Sequence, residues 1–382
     1  MDKSVKVLQV TIGDGVYGGV AAFLYTYYEH MDHSTVHFDF LYCGENSMES
    51  KANSVVLAGS TITTLHVLKR NNNGFGEYKK LIKKLREFFS TNKYDIVHIN
   101  SSNLFLNFCV DKVVDNRAIC ISHSHNTKST IEYSGKLKSV IKDLLRKPCR
   151  DYVIKHSDFL FACSEMAGEY LFGRNIKLNP KFKVIHNAIN INNYVFNCNK
   201  RASVRCTEDI VVGFVGRLAD QKNPLFLLDI FEKLHNRNEH TVLWIVGDGE
   251  LREKVEEKIE SLKLESCVKL FGARSDVPDL MQGMDLLLVP SLYEGLPIVT
   301  IEAQASGLPV YASNAIPAEA NITDIVCYLS LSASSDEWAQ TIQLRINGGQ
   351  ERLDNLNKVK DAGYDIEAVS KWLEEFYLDL KK

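Results

Sequence analysis

The sequence predicts an α/β protein of two Rossmann-like parallel-sheet domains facing a central cleft. Three observations carry this. The chain has 382 residues, a length that suits two domains better than one. Short apolar runs alternate with amphipathic helical stretches, as in parallel sheets covered on both faces. The pattern also starts twice, at Val5 and at Ile210, each time passing from a strand through a glycine turn into a helix.

The first strand, residues 5–10, ends in Gly13-Asp14-Gly15-Val16-Tyr17-Gly18-Gly19 before a helix over 20–30. A strand follows around 38–43, and a charged helix at 78–90 leads into a strand at 95–100. The strand at 118–122 ends in His123-Ser124-His125-Asn126, and a basic helix precedes the strand at 159–164. Residues 195–208 are polar, lack apolar periodicity and read as a linker. The pattern restarts with a strand at 210–215, then Gly216-Arg217 and a helix from Pro224, where proline suits the first turn. Next come a strand at 241–246, the turn Gly247-Asp248-Gly249, a helix from Glu250, and a strand at 268–271. A short helix from Val277, a strand at 285–289, a helix at 297–306 and a strand at 309–312 complete the alternation. A final helix at 366–380 is expected to pack back on the first domain. The expected domains are 1–195, joined by 366–382, and 205–365.

Charge and composition exclude several classes. Net charge is −3, but residues 1–200 hold 26 basic and 18 acidic groups (+8) and the remainder 19 and 30 (−11). The densest basic stretch is Lys136, Lys138, Lys142, Arg146, Lys147 and Arg150, interleaved with apolar residues at helical spacing. Such a helix suits an anionic membrane surface. No nucleic-acid motif accompanies the charge, so nucleic acid is not an expected partner. The nine cysteines are scattered without a C-x-x-C pair, which excludes a disulfide framework or zinc ribbon. No apolar run is long enough to span a bilayer, and the start lacks the features of a leader. The expected location is cytoplasmic, peripheral on the inner membrane face.

The richest segment is Tyr293-Glu294-Gly295-Leu296-Pro297-Ile298-Val299-Thr300-Ile301-Glu302-Ala303. Glu294 precedes a helix and Glu302 lies inside it. Eight residues of helix span ~12 Å, about the distance from the sugar of a nucleotide sugar to its ribose. The helix N-terminus between them suits a diphosphate. Arg217 and Lys222, in Gly216-Arg217-Leu218-Ala219-Asp220-Gln221-Lys222-Asn223-Pro224, follow a strand, where open α/β sheets bind ligands. Both cations can converge on a diphosphate and stabilise it as a leaving group. No D-x-D pair occurs, so no metal and no cofactor is expected.

These residues resemble retaining glycosyltransferases of family 4, the GT-B "group 1" class, in particular the bacterial capsule and exopolysaccharide branch. The resemblance is strongest over 211–313. The family's E-x7-E motif matches Glu294 and Glu302, its diphosphate-binding pair Arg217 and Lys222, and its first-loop glycines Gly18 and Gly19. Asn187 matches its N-G-[IV]-D hinge, where this chain has Ala188 and Asn190. The resemblance implies metal-independent, retaining transfer from a nucleotide sugar, UDP being the commonest carrier, to a glycan or lipid-linked oligosaccharide. It also implies a histidine at the donor sugar, a role suiting His125. Gly216, Asp248, Gly272, Ala273, Gly295, Leu296 and Pro297 complete the expected donor site, and His123, Ser164 and Asn187 are expected to line the cleft. His98 and His186 are expected to pack or cap. Two other functions fit this fold, a nucleotide-sugar epimerase and an inactive scaffold of a polysaccharide-assembly complex. Acceptor-free conversion of the donor marks the first, and failure to bind any nucleoside diphosphate the second.

Overall fold

The computed structural model of the chain describes residues 4–13, 19–45, 52–57, 59–69, 74–114, 117–125, 136–205, 208–347 and 352–381. The chain forms two compact units, Met1–Ala188 with Ile366–Lys382, and Ile189–Asp365.

The first unit contains β1 (Val5–Thr11), α1 (Gly19–Glu29), β2 (Val36–Tyr42), α2 (Ala52–Leu57), β3 (Ile62–Thr64), α3 (Phe75–Thr91) and β4 (Ile96–Asn100). It continues through α4 (Leu104–Asp111), β5 (Ile119–Ser124), α5 (Lys136–His156), β6 (Phe159–Ala162), α6 (Glu165–Phe172) and β7 (Phe182–Val184). Seven parallel strands run in the order β3-β2-β1-β4-β5-β6-β7. All five residues of β4 are buried, which fits a strand covered on both faces. One face carries Leu8, Val10, Val97 and Ile99, on which α3 lays Leu81, Leu85 and Phe89, spaced by one helical turn each. The other carries Phe38, Phe40 and Phe161 under Ile366, Leu373 and Tyr377 of the last helix, which numbers α14 (Ile366–Leu380).

The second unit contains α7 (Cys198–Val204), β8 (Ile210–Val215), α8 (Pro224–His235), β9 (Thr241–Val246), α9 (Arg252–Ser261), β10 (Val268–Gly272) and α10 (Val277–Gly283). Then come β11 (Leu286–Val289), α11 (Ile298–Ala305), β12 (Val310–Ser313), β13 (Val326–Leu329), α12 (Ser335–Asn347) and α13 (Leu356–Val359). Its six parallel strands run β10-β9-β8-β11-β12-β13, with an apolar layer on each face. Both sheets reverse direction beside their first strand, at β1/β4 and β8/β11. Open α/β sheets bind ligands beyond the carboxyl ends of such strand pairs.

The expected domain limits need correction. The division falls between Ala188 and Ile189, and the described residues of the expected linker, 195–205 and 208, are not plain coil. Asn197 accepts from the Asn199 and Lys200 amides and starts α7. Arg201 and Arg205 then tie α7 to Asp285 beside β11, at 2.5 and 3.2 Å.

Candidate functional site

The β8/β11 reversal of the second unit gathers the densest set of expected residues. β8 hands over to Gly216-Arg217 and then to a one-turn helix at Asp220–Lys222. Asn223 takes the left-handed φ of 56° and its side-chain amide donates to the Pro290 carbonyl at 3.2 Å. The Leu292 amide donates to the Gln221 carbonyl at 2.8 Å. These bonds join the loop after β8 to the loop after β11. They bring the Lys222 Nζ to 2.5 Å from Glu294 Oε1, while the Gln221 side chain donates to Glu294 Oε2 at 3.2 Å. Lys222 also lowers the pKa of Glu302 by its charge, so it stands near both glutamates.

The two glutamates differ. Glu294 is 7% exposed and ion-paired. Glu302, on α11, accepts from the Tyr194 hydroxyl at 2.6 Å. Burial raises its pKa, and the Tyr194 bond and the Lys222 charge only partly offset this. The Arg217 carbonyl accepts from the Ala219 amide at 2.8 Å, and its side chain makes no hydrogen bond or ion pair with a described residue. Gly295, Leu296 and Pro297 are buried and carry the chain from Glu294 into the free amide end of α11.

Three loops after β8, β9 and β10 are laced by backbone bonds. The Gly216 amide donates to Val246 at 2.9 Å, Leu218 to Asp248 at 3.0 Å, and Gly247 to Gly272 at 2.8 Å. Gly247 has φ 139°, and a Cβ there would lie 1.9 Å from the Gly216 carbonyl oxygen, so only glycine fits. The Asp248 carboxylate accepts from its neighbour's amide and pairs with Arg252 at 3.2 Å, which gives it a turn-shaping position. Ala273 is exposed beside Gly272.

In the first unit, β4 and β5 end in a buried polar network. Tyr377 of α14 lies 2.6 Å from His98 Nδ1, and His98 Nε2 lies 3.1 Å from His123 Nδ1. His125 Nε2 lies 3.0 Å from Asn100 Oδ1, and the Asn100 amide donates to Gln9 at 2.7 Å. Burial lowers all three histidines, His98 to about 3 and His125 to about 4, so they are neutral at physiological pH. Asn187 lies beside His125, which joins two expected site residues. Among the described residues His125 Nδ1 has no partner in hydrogen-bond geometry.

Two cleft-lining expectations need correction. His123 is 0% exposed, stacked with His98 and set edge-on to Phe161, so it belongs to the core. Ser164 is also fully buried, and its hydroxyl accepts from the Ala167 amide to cap α6. His186 donates its Nδ1–H to the Cys163 carbonyl at 3.3 Å, as expected of a packing residue. Gly18 lies outside the described residues, and Gly19 is the first residue of α1. Sequence reasoning missed Gln221 and Tyr194. Gln221 adjoins Lys222, but Tyr194 arrives from 108 positions before Glu302 and carries no local signal. Among the described residues no helix is long and apolar enough to cross a membrane.

Comparison with known proteins agrees on one class. A family model described as glycosyl transferases group 1 matches residues 197–361, and one described as glycosyltransferase family 4 matches residues 17–193. The chain is 27% identical over 360 residues to the putative glycosyltransferase EpsF of Bacillus subtilis (strain 168), across 92% of this chain and 90% of that one. The solved structure of Anabaena Alr3699/HepE in complex with UDP and glucose shares the fold, with a TM-score of 0.73 at 19% identity over 97% of this chain and 99% of that one. So does the pneumococcal O-GlcNAc transferase GtfA in complex with UDP and GlcNAc, at 0.70 and 12% over 99% of each chain.

Proposed function

The chain is a glycosyltransferase of the GT-B fold, and from that premise we propose that it moves a sugar from a UDP-sugar to a glycan or lipid-linked oligosaccharide in surface polysaccharide synthesis. The transfer is retaining and needs no metal. The observation that carries the reading is Lys222, held 2.5 Å from Glu294 and close to Glu302 where the second sheet reverses direction.

In this reading the diphosphate sits at the amide end of α11 and is met by Arg217 and Lys222. As the glycosidic bond breaks, charge builds on the leaving diphosphate, and two fixed cations stabilise it more than they stabilise the bound donor. Glu294 accepts from sugar hydroxyls and Glu302 from ribose hydroxyls. The Gly272-Ala273 backbone faces the base, and Asp248 shapes the turn beside it. His125, neutral and anchored through Nε2, offers Nδ1 to a sugar hydroxyl. The first unit takes the acceptor, and its basic half meets the anionic inner membrane face.

UDP supports this choice of carrier because two proteins of the same fold are described with UDP bound. The name EpsF supports an exopolysaccharide pathway. The test is UDP release from a panel of UDP-sugars in the presence of membrane-extracted acceptor. Arg217→Ala and Lys222→Ala should each fold and lose about 10²-fold or more in turnover, the usual effect of removing one preorganised electrostatic group. Wild-type turnover in either variant contradicts the assignment.

A further inference from the structure

We propose that the first unit carries a phosphate-binding groove between α5 and the connection from α6 to β7, and that its occupant is the phosphate of an anionic lipid headgroup. The groove has a volume of about 630 Å³. One wall is a single stripe of α5, where Lys147, Arg150, Asp151 and Ile154 follow at helical spacing. The other wall is the loop after α6, including Arg174 and Asn175. Gly173 closes α6 with φ 101°, and Arg150 Cδ lies 3.7 Å from where its Cβ would be. The loop is thereby folded against the arginine.

Three cations thus face one groove that holds a single acid, Asp151. Cations beside a helix carboxyl end are ordinarily accounted for by its dipole and last carbonyls. Here the side chains of Lys147, Arg150 and Arg174 make no hydrogen bond or ion pair with a described residue, and Arg150 Nε is buried without an acceptor. A buried guanidinium nitrogen left unmatched asks for an oxygen, and forked guanidinium donors match phosphate. Two acids of the adjoining helix α6, Glu165 and Glu169, already pair with Lys177.

The lipid source follows from the apolar partners. Ile154, Phe172 and Ile176 line the same groove, and Leu178, next along the loop, is 85% exposed. A bare leucine beside cations that pair with no described residue suits the boundary between headgroups and acyl chains. The groove is built from the carboxyl halves of α5 and α6, so it lies at the sheet edge opposite the strand ends described above. The proposal gives the membrane contact a defined phosphate site, and it rests on that contact for the lipid source alone.

The test is co-sedimentation of the full chain at low salt with phosphatidylcholine vesicles, with and without phosphatidylglycerol. Binding should require the anionic lipid, fall with added salt, and weaken at least about tenfold in Arg150→Gln/Arg174→Gln, as for loss of charge-assisted bonds. Asp151→Asn should bind more tightly, a gain that misfolding cannot mimic. Glycerol 3-phosphate distinguishes the sources. Competition by it assigns the site to phosphate esters in general, and no competition assigns it to the lipid surface. The nucleoside-diphosphate response of the second unit should be the same in all these variants, which keeps this test separate from the donor reading. Equal vesicle binding by wild type and the double variant, or no tightening in Asp151→Asn, overturns the proposal.

Discussion

Lys222 stands between two carboxylates held in different ways. Glu294 is ion-paired to it, whereas Glu302 is desolvated and bonded to Tyr194. The first unit shows the opposite solution in its histidine network, keeping His98, His123 and His125 neutral. His98 and His125 are held at about 3 and about 4, against 6.5 in the unfolded chain. Between those values the folded unit binds fewer protons than the unfolded chain. Its stability is therefore fully present above pH 6.5 and is lost as pH falls through 4 and then 3. Ring-carbon NMR should show both residues neutral at pH 5.5, with unfolding free energy declining from pH 6.5 downward. A midpoint near 6.5 for either ring contradicts this. Legibility at this scale was uneven. Arg217, Lys222 and Glu294 were readable because each follows a strand, and Glu302 because it falls eight residues on, inside the next helix. Tyr194 was not, because only the fold brings it to Glu302.

The strands that were legible are those whose residues are buried on both faces. Residues 210–215 and 241–246 are continuous apolar runs, and β8 and β9 have those same limits. The edge strands β3, β7 and β13 were missed because three or four half-exposed residues give no period. The helices α4 and α6 were missed for a different reason. Both have only eight residues, too few for a helical period to stand out, and their signal lies in the caps Asn103 and Ser164. α7 buries none of its residues, so it resembled a linker. The glycine turn after β9 makes the strongest prediction at this scale. Gly247→Ala must accept both a φ of 139° and a carbonyl oxygen at 1.9 Å. The backbone strain alone costs about 1–3 kcal/mol. Relief requires moving Gly216-Arg217, so urea unfolding and nucleotide affinity should both worsen. Unchanged values for the variant contradict the loop lacing.

At the scale of the molecule, one architecture appears twice. Both sheets reverse beside their first strand, and in each the polar residues collect beyond the strand ends at that reversal. The first unit is assembled from both ends of the chain, since α14 completes its core. The repeated start of the strand pattern revealed two domains, but the crossing at Ala188/Ile189 was hidden by a polar stretch seven residues further on. The central claim is that the reversal in the second unit holds a nucleoside diphosphate. A ligand that binds only the folded state raises its stability by mass action. The most direct measurement is the thermal unfolding of the wild type and Lys222→Ala with UDP, GDP, ADP, CMP and inorganic phosphate. A nucleoside diphosphate, UDP foremost, should raise the midpoint of the wild type, and the rise should be lost in the variant. No rise with any nucleotide, or an equal rise in Lys222→Ala, would contradict the claim.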